Sequence, residues 1–414
     1  MSLFLCVLML TTGLAISRPA SGTLAVPEVA ADASPSVSVI ANVSVGHLPE
    51  HATYDSGNGY VYVPNEASAN VSVIAGTAIA GSIRVGVGPA DPTYDGGNGY
   101  VYIPNTGSDN VSVISGTTVT ATIAVGSEPA FATYDSGNGY VYVLNVGSNN
   151  VSVISGTKLV GSVSAGNNSH YATYDSGNGY IYVVNSDSNN VSVISGTKLV
   201  GSISVGTMPV FTTYDSGNGY VYVLNQGISN VSVISGTKVV GSVNVGLYPY
   251  WATYDSGNGD VYVQNVGSSN VSVVNGTSVV GSVKVGSGPG GGVYDSENGY
   301  VCVPNLGSSD VSVIDGTSVV ATASVGLDPQ YAAFDGGNGY VYVPNANSDT
   351  VSVIATSSPS NGGASSSSSG LPSWAYVIIG VAIAGVAVGV VMGVMRHRRQ
   401  PRSPLLRPPP DSGP

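Results

Sequence analysis

Between residues 35 and 354, apolar and small polar residues alternate in short runs, and turns rich in glycine and asparagine separate these runs. Alternation of β-branched and aromatic residues, without a helical period, is typical of strands. One stretch shows the pattern well, because Gly-Asn-Gly and Ser-Gly-Thr mark its turns and asparagine followed by glycine favours a hairpin. The strands predicted there cover residues 92–95, 100–104, 111–114 and 118–125.

The whole pattern returns with a period of 40 residues. The motif Tyr-Asp-Ser-Gly-Asn-Gly-Tyr recurs with few changes, beginning at Tyr54, Tyr94, Tyr134, Tyr174, Tyr214, Tyr254, Tyr294 and Phe334. A repeat of about 40 residues that holds four strands is typical of propeller blades. The second strand of each unit is apolar on both faces, so it needs cover on both sides. The sequence therefore predicts an all-β, eight-bladed propeller.

The two ends of the repeat region are incomplete in complementary ways. The last unit begins at Leu327 and stops at Ile354 after three strands, whereas residues 35–46 align with the fourth strand of every other unit. The two parts add up to one full unit, which an open array would not require. We therefore expect the N-terminal strand to complete the last blade and close the ring.

The segments outside the propeller indicate a membrane protein. Residues 1–34 have the apolar run of a signal peptide followed by a linker, although no basic residue precedes the run and an uncleaved anchor is the alternative. Residues 355–373 form a stalk rich in serine and glycine. Residues 374–395 carry no charge and are long enough to span a bilayer as a helix. The tail at 396–414 holds five arginines, which predicts that it is cytoplasmic and the propeller extracellular.

Glycines recur at every fourth position of the predicted membrane helix, which places them on one face. Such a strip favours close contact between helices, and it predicts a possible homo-oligomer. The three glycines are Gly385, Gly389 and Gly393.

Composition and charge exclude several classes of protein. Charged residues make up 8% of the chain, and the formal net charge is −12. Residues 35–354 hold 5 Lys/Arg against 20 Asp/Glu, so the propeller is acidic and the excess of basic residues lies in the C-terminal tail. This distribution excludes a coiled coil and a basic nucleic-acid binder. The two cysteines, Cys6 and Cys302, provide no disulfide framework, and we expect Cys302 to be a buried apolar residue.

Short motifs within each unit resemble the YVTN-type β-propeller repeat. Residues 62–65 read Tyr-Val-Pro-Asn and residues 71–74 read Val-Ser-Val-Ile. The first motif recurs with a changed third residue, as Tyr-Val-Leu-Asn at 142–145 and Tyr-Val-Gln-Asn at 262–265. In the seventh unit Cys302 replaces the tyrosine of the motif. The resemblance covers residues 35–354. It implies a secreted or cell-surface protein, similar to archaeal surface-layer proteins, but it does not imply one activity.

The loops that connect one blade to the next vary while the rest of each unit repeats, and their variable residues include Glu50, His170, Tyr248, Tyr250 and Asp328. One position in each of these loops should place its side chain at the mouth of the central channel, so we expect eight side chains to meet there. Aromatic residues there can bind sugar rings or a partner protein, or they can simply pack the channel entrance. The candidate ligand-binding residues are His51, Phe131, Tyr171, Phe211, Trp251 and Tyr331, and Asp91 and Gly291 hold the other two positions.

The sequence predicts no catalytic residue, metal site or cofactor. The Asp-Ser-Gly-Asn-Gly turns could supply oxygen ligands to calcium, but a single aspartate per turn is more typical of a carboxylate that accepts hydrogen bonds from its own turn. Histidine chemistry would require His51 and His170 to converge across the ring, without a supporting cluster of ligands.

Nine asparagines stand in acceptor sequences for N-linked glycans. The alternative is that the repeated Asn-Val-Ser asparagines are structural and lead into the third strand, and both roles are compatible with the sequence. The candidates are Asn42, Asn70, Asn110, Asn150, Asn167, Asn190, Asn230, Asn270 and Asn275.

These features together predict a single-pass, membrane-anchored propeller on the cell surface. Its expected role is non-catalytic, in surface structure, adhesion, or interaction with a protein or glycan partner. Two alternatives stay open at this point. One is a dedicated carbohydrate-binding module, and the other is a propeller enzyme of the lactonase or quinoprotein kind.

Overall fold

The computed structural model describes residues 35–357, which form eight four-stranded antiparallel sheets. Within each sheet every strand pairs with the next one along the chain, except in the last sheet, which includes the N-terminal strand. The sheets are the blades of a propeller. We number the blades 1 to 8 along the chain and the strands of each blade first to fourth from the central channel outwards.

The strand boundaries repeat from blade to blade. The first strands are Thr53–Asp55, Thr93–Asp95, Pro129–Asp135, Ser169–Asp175, Pro209–Asp215, Pro249–Asp255, Val293–Asp295 and Ala333–Asp335. The second strands are Tyr60–Asn65, Tyr100–Asn105, Tyr140–Asn145, Tyr180–Asn185, Tyr220–Asn225, Asp260–Asn265, Tyr300–Asn305 and Tyr340–Asn345.

The third strands are Asn70–Ala75, Asn110–Ser115, Asn150–Ser155, Asn190–Ser195, Asn230–Ser235, Asn270–Asn275, Asp310–Asp315 and Thr350–Ser357. The fourth strands are Ala78–Arg84, Thr118–Ala124, Lys158–Ser164, Lys198–Ser204, Lys238–Asn244, Ser278–Lys284, Ser318–Ser324 and, in blade 8, Ser36–Ser44. Three short 3-10 helices join second to third strands, at Glu66–Ser68, Thr106–Ser108 and Gln226–Ile228. In blade 2 the strands predicted from the sequence are confirmed to within one residue at each end.

The hydrophobic core lies between neighbouring blades. Val141, Tyr142 and Val143 of blade 3 are completely buried, although consecutive side chains of a strand point to opposite faces. Val141 and Val143 pack with residues of blade 2, and Tyr142 packs with residues of blade 4. The expectation that the apolar second strand is covered on both sides is confirmed.

The N-terminal strand closes the ring. Ser36–Ser44 pairs antiparallel with the third strand of blade 8, Thr350–Ser357, with Ser44 opposite Thr350 and Ser36 opposite Ser357. The predicted closure is therefore confirmed, although the last strand extends three residues beyond the predicted end at Ile354. The N-terminal strand thus completes the four-stranded sheet of blade 8, and its backbone hydrogen bonds hold the two ends of the repeat region together.

In seven of the eight blades, the turn between the first and second strands contacts the hydroxyl group of a tyrosine in the next blade. Asp55 Oδ1 accepts a hydrogen bond from the Gly57 amide at 2.8 Å and one from the Asn58 amide at 3.3 Å. The hydroxyl group of Tyr94, in blade 2, also hydrogen-bonds to Asp55. The aspartate of the repeated motif therefore holds both its own turn and the contact between blades.

The repeat departs from its pattern where blade 7 meets blade 8. Phe334 of blade 8 lacks the hydroxyl group that Tyr94 has at the equivalent position, and Thr356 Oγ1 donates to Asp295 instead, at 2.5 Å. Glu297 stands where the other turns have glycine. In those turns an added Cβ would collide with the tyrosine hydroxyl group of the next blade. Because Phe334 has no hydroxyl group, the turn of blade 7 has room for the Glu297 side chain.

The predicted segments at 1–34, at 358–373 within the stalk, at 374–395 with its three glycines, and at 396–414 lie outside the described residues. Within residues 35–357 there is no helix long and apolar enough to cross a bilayer.

Candidate functional site

The loops on one face of the propeller surround a cavity of about 550 Å³, which we call the funnel cavity. Loops that connect one blade to the next and loops between second and third strands both contribute to its wall. Its polar and aromatic lining residues are Glu50, His51, Glu66, Asp91, Thr106, His170, Tyr171, Tyr250, Trp251 and Gln330.

The eight variable positions meet on the axis and form a plug beneath the funnel cavity. The rings of Phe131 and Tyr171 have their centroids 4.0 Å apart, as do those of Tyr171 and Phe211. Trp251 continues the series, with its ring centroid 5.4 Å from those of both Phe211 and Tyr331. Burial raises the pKa of Tyr171 well above its ordinary value, and its phenol group hydrogen-bonds to that of Tyr331 from the opposite blade.

Gly291 completes the plug by leaving room for a neighbour. An added Cβ at Gly291 would collide with the ring of Tyr331. The tyrosine of blade 8 therefore fills the space that a side chain from blade 7 would occupy. The ring of contacts then passes from Tyr331 to His51, whose ring centroids lie 5.4 Å apart.

His51 and Asp91 form a close, largely buried pair at the edge of the plug. His51 Nδ1 lies 2.5 Å from Asp91 Oδ1, and each side chain is only 17% exposed. Burial lowers the pKa of His51, but the Asp91 and Glu50 carboxylates outweigh this effect, so the pKa lies above its ordinary value. The second ring nitrogen, Nε2, is buried without a hydrogen-bond partner.

Two glutamates from different loops come together beside this pair. Glu50 precedes His51, and Glu66, in the 3-10 helix of blade 1, lines the same cavity and acts on the Glu50 carboxyl group through its charge. Burial and the negative charge of Glu66 raise the pKa of Glu50. His170 lies in the same wall, where burial lowers its pKa. His51 and His170 therefore line the same cavity. The sequence alone gave little reason to expect this, because the two residues belong to blades that are far apart along the chain.

A second cavity, of about 510 Å³, lies in the central channel on the other side of the plug. It is lined by the first strands and contains no charged residue. A threonine from each of blades 1 to 6 contributes, and Phe131, Tyr171, Phe211 and Tyr331 of the plug also border it. The plug thus separates an acidic cavity from a neutral one.

The repeated acceptor asparagines take part in the fold. Asn65, completely buried, donates from Nδ2 to Asn70 Oδ1 at 2.8 Å and to Ser72 Oγ at 3.0 Å. Corresponding bonds engage the other five Asn-Val-Ser asparagines, at Asn110, Asn150, Asn190, Asn230 and Asn270. Asn42, Asn167 and Asn275 are exposed, although Asn42 accepts a hydrogen bond from Ser352 and Asn275 donates one to Asp260.

Other candidate chemistry is sparse in the described part of the chain. Residues 35–357 contain no group of three or more His, Cys, Asp and Glu side chains that could hold a metal ion. The aspartates of the repeated turns accept hydrogen bonds from their own backbone amides. Cys302 is completely buried, and burial raises the pKa of its thiol.

Solved structures share the fold at low sequence identity. The C-terminal WD40 domain of Sif2 matches with a TM-score of 0.63 and 10% identity, over 77% of this chain and 99% of that one. Dihydro-heme d1 dehydrogenase NirN matches with a TM-score of 0.59 and 13% identity, over 78% and 79%. A virginiamycin B lyase from Staphylococcus aureus matches with a TM-score of 0.55 and 13% identity, over 64% and 94%. No family model and no curated protein matches the chain. At these identities the similarity establishes a β-propeller, whose blades here number eight.

Proposed function

We propose that this chain is a cell-surface propeller that binds a ligand in the funnel cavity without transforming it. The observation that carries the proposal is the gathering of the non-repeating residues into one cavity. The turns and strands are nearly identical from blade to blade, whereas the side chains facing this cavity differ at almost every blade. Packing alone does not require ionisable residues such as Glu50, Glu66 and Asp91 at this place.

The surface location rests on the sequence. The uncharged segment at 374–395 and the arginines that follow it favour a single membrane span with the propeller outside. A stalk rich in serine and glycine would allow the funnel face to reach a ligand at some distance from the membrane. Adhesion or a role in a surface layer fits this arrangement.

Binding can be tested with the full chain in a non-ionic detergent, on a glycan array and against a panel of small molecules. Replacing Tyr250 by serine or Trp251 by alanine removes aromatic surface from the cavity, so we expect affinity to fall by about tenfold. Tyr248→Ser is the matched control, because Tyr248 lies two residues away, is exposed and does not line the cavity. Equal effects of Tyr248→Ser and Tyr250→Ser would contradict the proposal.

Catalysis by His51 is the second candidate function. An imidazole held by a carboxylate at Nδ1, with Nε2 unpartnered, is an arrangement suited to a general base. Among the solved relatives, one is described as a catalytically inactive histidine variant of virginiamycin B lyase. Turnover of lactone or ester substrates, screened with and without calcium and lost in His51→Gln, would support this candidate over pure binding.

A further inference from the structure

The funnel cavity has an unbalanced set of charges. Three carboxylates, from Glu50, Glu66 and Asp91, line it. No lysine or arginine does so, because all five in the described residues lie on fourth strands at the outer edge of the propeller. His51 is the positive partner within the set when it is protonated, and its charge is already matched by Asp91 at 2.5 Å. The cavity therefore repels anions and attracts cations.

Glu50 and Glu66 both line the cavity, and burial together with the negative charge of Glu66 disfavours an ionised Glu50. The position of Glu50 is fixed by its backbone, because its carbonyl oxygen accepts a hydrogen bond from the Tyr331 amide of the plug at 3.1 Å. A cation placed between the two carboxyl groups would offset this repulsion.

A buried acceptor lies nearby. When Asp91 accepts a hydrogen bond from Nδ1 of neutral His51, the lone pair of that imidazole is on Nε2. This atom is buried and has no partner in the described structure. His51 thus has one ring nitrogen held by Asp91 and the other without a partner, beside the carboxylates of the cavity.

Aromatic rings supply the rest of the wall. Tyr250 is 41% exposed, and its ring centroid lies 5.0 Å from that of Trp251, in an edge-on arrangement. The negative faces of such rings attract ammonium groups, and their carbon atoms contact apolar groups attached to the charge. Val210, Val266 and Leu306 extend the apolar part of the lining.

We propose that the funnel cavity binds an organic cation, an ammonium group on an apolar body, with Glu50, Glu66 and Asp91 around the charge and Tyr250 and Trp251 against the body. The inference rests on the proposed binding function and assigns its ligand class. A free amine and a lysine side chain of a partner polypeptide share this chemistry.

The test compares 2-phenylethylamine with 2-phenylethanol, which has a similar shape and no charge, by titration calorimetry on the full chain at neutral pH. We expect the amine to bind at least about tenfold more tightly, since a hydrogen bond to a charged group contributes about 1.5–3 kcal/mol. The double variant Glu50→Gln with Glu66→Gln should abolish this preference. Glu128→Gln, which alters an exposed carboxylate on the same face outside the cavity, should preserve it.

Two peptides separate the sources of the cation. An acetylated Phe-Lys amide that binds more tightly than 2-phenylethylamine indicates a polypeptide partner, and the reverse order indicates a free amine. The acetyl-lysine form of the peptide should bind like the alcohol.

Equal binding of amine and alcohol, or an unchanged preference in the double glutamine variant, would overturn the cation inference. Neutral saccharide binding that is lost in Tyr250→Ser would also overturn it, while leaving the proposed binding function in place. Failure of every amine, peptide, alcohol and glycan to bind would overturn both.

Discussion

The contact between a turn glycine and the tyrosine of the next blade can be tested by a double-mutant cycle. An added Cβ at Gly57 would lie 2.8 Å from the hydroxyl oxygen of Tyr94, closer than real Cβ contacts allow. We expect Gly57→Ala to lower the free energy of unfolding by about 1–3 kcal/mol, as overpacking does. Tyr94→Phe removes the hydrogen bond to Asp55 and should cost about 1 kcal/mol.

The double variant should lose less than the sum of the two single changes, because without the hydroxyl group there is no clash. The expected coupling is about 1–3 kcal/mol, which is the overpacking energy itself. Glu297 and Phe334 occupy the equivalent positions of blades 7 and 8, so the chain already contains the same pairing of a side chain in the turn with a ring that lacks a hydroxyl group.

Urea unfolding of the full chain, followed by circular dichroism, measures all four proteins under one condition. Gly201→Ala is the control, because nothing lies within 4 Å of an added Cβ there. If the two single effects add to within about 0.5 kcal/mol, the steric explanation of the turn glycine is wrong.

Three further predictions concern the plug, the core and the funnel cavity. Gly291→Ala should lower the free energy of unfolding by about 1–3 kcal/mol relative to Gly201→Ala, because its Cβ would collide with Tyr331; equal urea midpoints for the two variants would disprove this. Cys302 should resist iodoacetamide at pH 8 until urea is added, since burial raises the pKa of its thiol; mass spectrometry of the labelled peptide checks this, and labelling of the native protein at the denatured rate would contradict it. Burial and Glu66 raise the pKa of Glu50 above 4.5, so its ionised form costs stability as the pH rises through the folded-state pKa. Glu50→Gln should therefore raise the urea midpoint at pH 7 and change little at about pH 3.5, and a pH-independent difference would refute the reasoning.

The architecture was predictable because the sequence repeats, and equivalent positions of each repeat fold in the same way. Eight copies of one turn motif, from Tyr54 to Phe334, determine the number of blades. The missing fourth strand of the last unit identifies the closing strand at Ser36–Ser44. The membrane anchor, the stalk and the glycans stay predictions, because they concern residues or modifications that the described structure does not test.

The candidate site was predictable only in part: His51, Tyr171 and Trp251 line the funnel cavity, whereas the other three predicted rings, Phe131, Phe211 and Tyr331, do not. Equivalent positions of adjacent blades touch one another, so the pairing of His51 with Asp91 could have been read from their spacing of one repeat. Glu66 was missed because its loop varies in every blade, and only the fold shows that its side chain meets Glu50. Which rings fill the channel and which face the solvent depends on side-chain orientations that a repeat pattern does not specify.

The two ends of the described chain lie side by side, with Ser36 Oγ and Ser357 Oγ 2.7 Å apart. In blades 2 to 5 a Ser-Gly-Thr hairpin joins the corresponding third and fourth strands, as at 115–117 in blade 2. Ligating the ends through such a tripeptide and cleaving another blade at its own hairpin would yield a circular permutant with the same set of strand pairs. The final fold would then not depend on which blade is synthesised first.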